Sequence, residues 1–336
     1  MKKIFFVGGP GNISATTLQD LLERGKTLGL FTLPESARDA DRRAKVYPGN
    51  RDDTPALEAA LKDFRPDIVL DFVCFTPPQA EALLPLVTGK LAQFVFVSTV
   101  DVYGYPLSHL PMREADPWNP PNCDYAADKR LCEEIFHRPG PQQLPLTVVR
   151  PAYSFGPGFV LTPMSRGDGL SMITRLRNRM PLLIPGDGNT LIHVSAAPNT
   201  GRMIARVVGN PKSISSDYTV AHDSFMTHDD YVRLFAGVLG VEPSIVHIPT
   251  EIILSCNDPA TRDSLLHVLT RFNVAFSVDK FKADFPDFEW KTSLVGWARH
   301  YIEENDRRGA FPPPTETIFD DRLIAVWQKM LEKLQL

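Results

Sequence analysis

Ile4-Phe5-Phe6-Val7-Gly8-Gly9-Pro10-Gly11-Asn12-Ile13-Ser14 opens the chain with a short apolar run, a glycine-rich turn and the start of a helical pattern. A run of β-branched and aromatic side chains suits a buried strand. The amphipathic stretch from Ala15 to Arg24 suits a helix behind it. The alternation then repeats: Leu28 to Leu33, Ile68 to Val73, Phe94 to Val97 and Leu146 to Arg150 read as strands, the last ending at Pro151, and Thr54 to Phe64 reads as a helix. Such βαβ alternation predicts an α/β fold built on a doubly wound parallel sheet.

Beyond Phe155 the texture changes. Met164 to Arg179 and Pro185-Gly186-Asp187-Gly188 are irregular and rich in Gly, Pro and Arg, as a region capping a substrate would be. Val220 falls in a further strand, Thr227 to Leu239 in a helix, Val246 to Pro249 in a strand, and Glu316 to Leu334 in an amphipathic terminal helix. No internal repeat interrupts this order. The division expected is residues 1–155 for the sheet, with later segments returning to it, 156–315 for the smaller capping region and 316–336 for the terminal helix.

The 336 residues, 43% hydrophobic and 23% charged, can bury a substantial core. A net charge of -4 gives no general attraction to nucleic acid or anionic lipid, so neither partner is expected. Cys74, Cys123, Cys132 and Cys256 have no metal-ligand spacing and no disulfide-framework density, which places the chain in a reducing cytoplasm. The apolar run after Met1-Lys2-Lys3 stops at Gly8, too early for a signal peptide, and no 18-residue apolar segment follows. His193, His222 and His228 are scattered, and no metal site is expected.

Tyr125-Ala126-Ala127-Asp128-Lys129 carries the chemistry. Residues four apart share a helix face, so the Lys129 ammonium can lower the Tyr125 phenol and make tyrosinate a usable base. Thr99 follows the strand Phe94 to Val97 and stands at its carboxyl edge, where ligands of open α/β sheets bind. There it can hold a substrate oxygen while Tyr125 moves the proton. A solvated helix face is the plain alternative for Tyr125 and Lys129. Val7 to Ser14 is the context in which backbone amides approach a pyrophosphate at a helix N-terminus, with an ordinary tight turn as the alternative. The second strand ends at Phe31-Thr32-Leu33-Pro34 without an acid for the ribose hydroxyls of NAD. Arg38, Arg42 and Arg43 are either partners of a 2′-phosphate or a solvated charge run, which leaves NAD or NADP open, with NAD the first choice.

Over roughly residues 1 to 300 the chain resembles the extended short-chain dehydrogenase/reductases, the group of NAD-dependent epimerases and dehydratases built on a Rossmann sheet. The resemblance is carried by the glycine turn, Gly49-Asn50-Arg51-Asp52-Asp53, Asp67-Ile68-Val69-Leu70-Asp71, Ser98-Thr99-Val100-Asp101-Val102-Tyr103-Gly104, Tyr125 to Lys129 and Arg150-Pro151-Ala152-Tyr153-Ser154-Phe155-Gly156-Pro157. It implies that Thr99 orients substrate, Tyr125 is the acid/base and Lys129 binds the nicotinamide ribose. Cofactor contacts are implied at Gly8, Gly11, Asn12, Ile13, Asn50, Arg51 and Pro151 as well as Tyr125 and Lys129. Asp101 matches a position where some dehydratases and decarboxylases of the family carry a reactive carboxylate; a surface-facing acid is the other reading. Cys123 either faces the pocket or is a spectator.

The departures are also informative. Ile192 stands where the nucleotide-sugar enzymes of the family carry a diphosphate-gripping arginine, and Pro198-Asn199 replaces an acidic pair. Arg166, Arg175, Arg177 and Arg179 are the candidates to substitute for it. The function implied is NAD(P)-dependent redox at a secondary alcohol of a carbohydrate-like small molecule, an epimerase with a transient ketone. A ketone reductase or dehydrogenase and a sugar dehydratase are the alternatives. A non-catalytic RNA-binding relative, like the chloroplast stem-loop-binding proteins, is a further one that the net charge and the intact Thr99, Tyr125 and Lys129 set argue against. A homodimer through Pro77 to Val87 and Asp124 to Phe136 is the implied assembly, with a monomer as the alternative.

Overall fold

Phe94 and Phe96 point into one core and Val95 and Val97 into another, so both faces of their strand are buried. The same alternation recurs at Phe5 and Phe6. Strands covered on both faces belong in the middle of a parallel sheet with helices on either side. A computed structural model of the chain describes residues 2–164, 169–262, 264–313 and 318–334 and has this architecture. The strands are β1 Lys3–Val7, β2 Thr27–Thr32, β3 Lys45–Pro48, β4 Ile68–Asp71, β5 Gln93–Val97, β6 Leu146–Pro151, β7 Tyr153–Phe155, β8 Leu182–Pro185, β9 Leu191–Ile192, β10 Val194–Ala196, β11 Ser216–Val220, β12 Met226–Thr227 and β13 Ile245–Ile248.

Seven of them form one sheet in the order β11-β6-β5-β4-β1-β2-β3, with every pair parallel. This is a doubly wound Rossmann-type fold. The registers Val7 with Phe31, Val7 with Asp71 and Val97 with Val149 bring the carboxyl ends of the central strands to one edge. The remaining strands pair in twos as β10-β7, β12-β9 and β13-β8. Helix Ile318–Leu334 packs on the β8-β13 pair, where Ile324 joins Leu183, Ile248 and Leu266. Glu316 lies outside the described residues.

The strands and helices expected from periodicity stand within one or two residues of their predicted limits, and Thr54–Phe64 matches at both ends. Thr227 is the cap, not the first residue, of helix His228–Leu239: its hydroxyl accepts from the Asp230 amide at 3.1 Å, and the Asp230 carboxylate answers at the Thr227 amide. The seventh strand, β11, is contributed by the later half of the chain.

Arg150 on β6 is 1% exposed. Its Nε and Nη2 donate to Glu133 at 3.0 and 2.7 Å, and Nη2 also donates to Asp217 of β11 at 2.8 Å. Glu133 lies on helix Asp124–His137, so one guanidinium ties that helix to two strands. Breaking a buried pair leaves the partner charge uncompensated. Glu133→Ala is therefore expected to cost about 3 kcal/mol or more in urea unfolding.

His193 is buried and neutral. Its Nδ1 accepts from the Phe276 amide at 3.0 Å, which leaves Nε2 to donate to the His222 carbonyl at 2.8 Å. Burial holds His193, and likewise His228, down to about 4. The unfolded chain takes up these protons near its ordinary 6.5 while the folded chain does not. Folding stability is thus expected to fall as pH drops from about 6.5 to about 4, by roughly 3 kcal/mol per histidine, in denaturant titrations across that window.

Candidate active site

At the carboxyl edge of the sheet lies a cleft of about 970 Å³. The Gly8 to Ser14 turn forms one wall. Gly8 and Gly9 have φ of +89° and +113°, a region that favours glycine, and a Cβ on Gly8 would lie 2.5 Å from Val73 Cγ1. Ser14 fills the third small position and braces the turn, its Oγ accepting from the Gly11 amide at 2.8 Å. Helix Ser14–Glu23 starts there with no side-chain cap and no acid in its first turn, so its amides and positive dipole end face an incoming anion. Its opposite flank meets Gly201, where an added Cβ would lie 2.6 Å from the Ile13 carbonyl.

Arg51 lines the cleft but is spoken for: Nη2 donates to Asp71 Oδ2 at 3.1 Å and to the Gln79 carbonyl at 3.0 Å. Its buried Nε has no partner among the described residues, an orphaned donor beside the turn. Asn12, Ile13, Asn50 and Pro151 also line the cleft. These features suit a dinucleotide: a pinched turn, a helix start with no side-chain cap and no acid in its first turn, and a guanidinium N–H without a partner among the described residues. At the end of β2 the cleft is bordered by Thr32, Leu33 and Ser36. Arg38, Arg42 and Arg43 are off the lining, and Arg43 is held by Asp41 at 2.6 Å.

Thr99, Tyr125 and Lys129 meet on the cleft wall from two elements. Thr99 caps the short helical turn Val100–Tyr103 just after β5. Tyr125 and Lys129 lie on helix Asp124–His137, which begins after Cys123; Cys123 also reaches the lining. The Lys129 ammonium is buried between aromatic rings, 4.4 Å from the Phe96 centroid and 5.5 Å from that of Phe75. It donates to the Val97 and Cys74 carbonyls at 2.7 and 2.9 Å. Burial holds its pKa below the ordinary lysine value. An ammonium has three N–H groups, and two are engaged.

The Tyr125 phenol is pushed up to about 12, first by burial and next by the charge of Asp101, with a hydrogen bond to Thr99 opposing them. This departs from the expectation that Lys129 lowers it. Tyr125 is 43% exposed and lines the cleft together with Asp101. Asp101 points inward, which excludes the surface-facing reading. Its carboxylate is within hydrogen-bond reach of Tyr105 Oη at 2.9 Å, Tyr153 Oη at 3.0 Å and Thr99 Oγ1 at 3.1 Å, and the two phenol oxygens also pair; with one proton each, the phenols supply two of these three bonds at a time. Burial raises the Asp101 carboxyl despite these donors.

The three described candidates for an anion-gripping arginine, Arg175, Arg177 and Arg179, are off the cleft lining. Arg175 is bound to the Pro181 carbonyl and to Asp321, Arg177 to Asp306, and Arg179 is exposed beyond its helix end. Arg166 lies outside the described residues. Ile192 is buried in β9. Asn199 staples its helix to the Thr292 backbone, donating at 2.7 Å and accepting at 3.1 Å. Sequence reasoning did not single out Tyr105 as a site residue, and it quoted Tyr153 without a role. Both gain their meaning from contacts across 4 and 52 residues of chain to one carboxylate. Leu265, Val268 and Leu269, also on the lining, come from a segment with no motif of its own.

The fold is a doubly wound α/β sheet with a glycine turn and with Thr99, Tyr125 and Lys129 in one cleft at its carboxyl edge. The family model of the NAD dependent epimerase/dehydratase family matches residues 4–221, and the chain belongs to that family. A UDP-glucose 4-epimerase from Lactobacillus helveticus is 30% identical over 153 residues, 40% of this chain and 46% of that protein. The match thus spans about half the length of that curated relative. The dTDP-glucose 4,6-dehydratase of Bacillus anthracis, solved in complex with NAD, superposes with a TM-score of 0.70 at 20% identity, over 91% of this chain and 97% of its own. The UDP-glucose 4-epimerase of Thermus thermophilus, also solved with NAD, gives 0.68 at 18% identity, over 92% and 99%. At such identities the likeness is one of fold. No described helix is long and apolar enough to cross a membrane.

Because the Asp101 charge is the second-largest cause raising the phenol, Asp101→Asn is expected to lower the Tyr125 pKa. Ultraviolet titration of tyrosinate in D101N, compared with D101N/Y125F, reads that shift.

Proposed function

We propose that the chain is an NAD(P)-dependent redox enzyme acting on a secondary alcohol of a carbohydrate-like small molecule, as an epimerase that oxidises, re-presents and re-reduces one carbon. One observation carries this reading: Thr99, Tyr125 and Lys129 share a cleft with a glycine turn that leaves helix-end amides open. Residues 1–155, with later segments such as β11 returning to them, form the nucleotide-binding part and 156–315 the substrate-binding part, followed by the terminal helix Ile318–Leu334. A bound nicotinamide supplies reversible hydride acceptance. NAD is the first choice, since Arg38, Arg42 and Arg43 stay off the lining. The setting is cytoplasmic. A homodimer would use helices Pro77–Val87 and Asp124–His137, where Leu131 is exposed.

In this reading Thr99 fixes the substrate oxygen and Tyr125 exchanges its proton. Reversible hydride exchange with the alcohol carbon would be the nicotinamide's part; Tyr125 would take the alcohol proton only as tyrosinate, and would return it once the ketone had presented its other face. The remaining Lys129 N–H would serve a ribose hydroxyl. With its present neighbours the phenol is protonated at neutral pH, an acid suited to a carbonyl oxygen. That observation favours a second reading, a ketone reductase that exchanges its cofactor each turn.

Tyr125→Phe is expected to reduce turnover by about 10²-fold or more with cofactor affinity nearly unchanged; undiminished turnover removes the acid/base role. Denaturing fresh protein and identifying the released nucleotide separates the two readings. Near-stoichiometric NAD⁺ is the outcome expected for an internal redox cycle, whereas empty protein that binds NADH or NADPH reversibly points to the reductase.

A further inference from the structure

Besides Thr99 and Tyr125, the cleft presents two further kinds of surface. One is a fixed carboxylate, Asp101, held by the hydroxyls of Tyr105, Tyr153 and Thr99. The other is apolar: Phe159, Leu161, Leu265, Val268 and Leu269 line the same cleft. Phe159 and Leu265 are each 37% exposed, so carbon surface is left open toward the space between the walls. The two surfaces are joined. The Tyr105 ring stacks on Phe272 at 6.3 Å and 14°, directly after the helical turn Leu266–Thr270. Met112 bridges to Phe276 further along the same segment, which therefore crosses over the Asp101 loop.

Charge is distributed unevenly along the cleft. The cations on its described lining are Arg51 and Lys129, and both are buried and bonded to the protein beside the dinucleotide turn and β5. A diphosphate placed over the Leu265 wall would meet carbon surface and, when Asp101 is ionised, a like charge. Anions seek guanidinium forks or open amides, whereas open apolar surface rewards an apolar substituent by the area it covers.

Resting on the redox reading above, we infer that the substrate is uncharged where it meets these surfaces: a hydroxyl or ketone compound carrying an alkyl or aryl substituent, seated on Leu265 and Phe159, in place of a nucleoside diphosphate. Thr99 and Tyr125 would hold the oxygen to be oxidised or reduced. The apolar wall would select the group beyond it.

The test uses full-length protein loaded with NAD⁺ or NADP⁺, with glucose, hexyl glucoside and UDP-glucose as probes in calorimetry. Hexyl glucoside should bind at least tenfold more tightly than glucose and more tightly than UDP-glucose. Leu265→Ser and Phe159→Ser, both at partly exposed positions, should each erode the hexyl preference by several-fold or more. UDP-glucose binding more tightly than hexyl glucoside, or a hexyl tail that adds nothing over glucose, overturns the inference. Nucleotide binding measured on the same sample separates the two levels. Loss of both NAD⁺ and NADP⁺ binding overturns the redox reading itself, while intact nucleotide binding with UDP-glucose preferred overturns only the substrate class.

Discussion

Arg150 is the charge around which the working half of the molecule is assembled. A guanidinium at 1% exposure is tolerable only if its donors are met, and here Glu133 takes two of them and Asp217 another. Its flat face lies against the Trp118 and Tyr103 rings, at 4.8 and 5.5 Å. These partners belong to the helix that carries Tyr125 and Lys129, to the returning strand β11 and to the turn that carries Asp101. Satisfying one buried cation therefore fixes where three parts of the cleft stand relative to β6. Stability and site geometry rest on the same contacts, and a change at Glu133 would disturb both.

The cleft this frame creates is polar in a graded way. Around the glycine turn the groups are donors: the uncapped start of helix Ser14–Glu23 and a buried Arg51 Nε with no partner among the described residues. In the middle, Lys129 offers one N–H after two are given to carbonyls. Beyond Thr99 the groups are a carboxylate with its hydroxyl donors and then carbon. A ligand that is anionic at one end, hydroxylated in the middle and uncharged at the other complements this sequence of surfaces without any side chain moving. The glycines at the turn serve the first part alone, since Val73 would collide with any Cβ at position 8.

Much of the fold was legible because both faces of the central strands are buried, which writes them as continuous apolar runs such as Phe94 to Val97. β3 was not, because Lys45–Pro48 is an edge strand with no fully buried residue and so carries little pattern. The paired strands β7 and β10 are three residues each, too short to show a period. The placement of Thr99, Tyr125 and Lys129 on one wall followed from strand end and helix spacing, both local quantities. The electrostatics of Tyr125 did not follow. Spacing put an ammonium on the same face as the phenol, but Lys129 turned to two carbonyls, and the charge that matters came from Asp101 on another element.

That reversal bears on direction. An isolated Tyr-x-x-x-Lys pair argues for a phenol poised as a base. Here burial and Asp101 together stabilise the protonated phenol, while the Thr99 hydroxyl donates to the Asp101 carboxylate and accepts from the Asp101 amide. The proton needed by a carbonyl substrate is thus already in place. To remove a proton from an alcohol, the site must first change its charge balance, by protonating Asp101 or by bringing a cation against the phenol. Burial has moved the Asp101 carboxyl toward the first route, and the three hydroxyls on it oppose that shift. In the proposed reaction, the balance between those two influences at one carboxylate would set how readily the same tyrosine works in both directions.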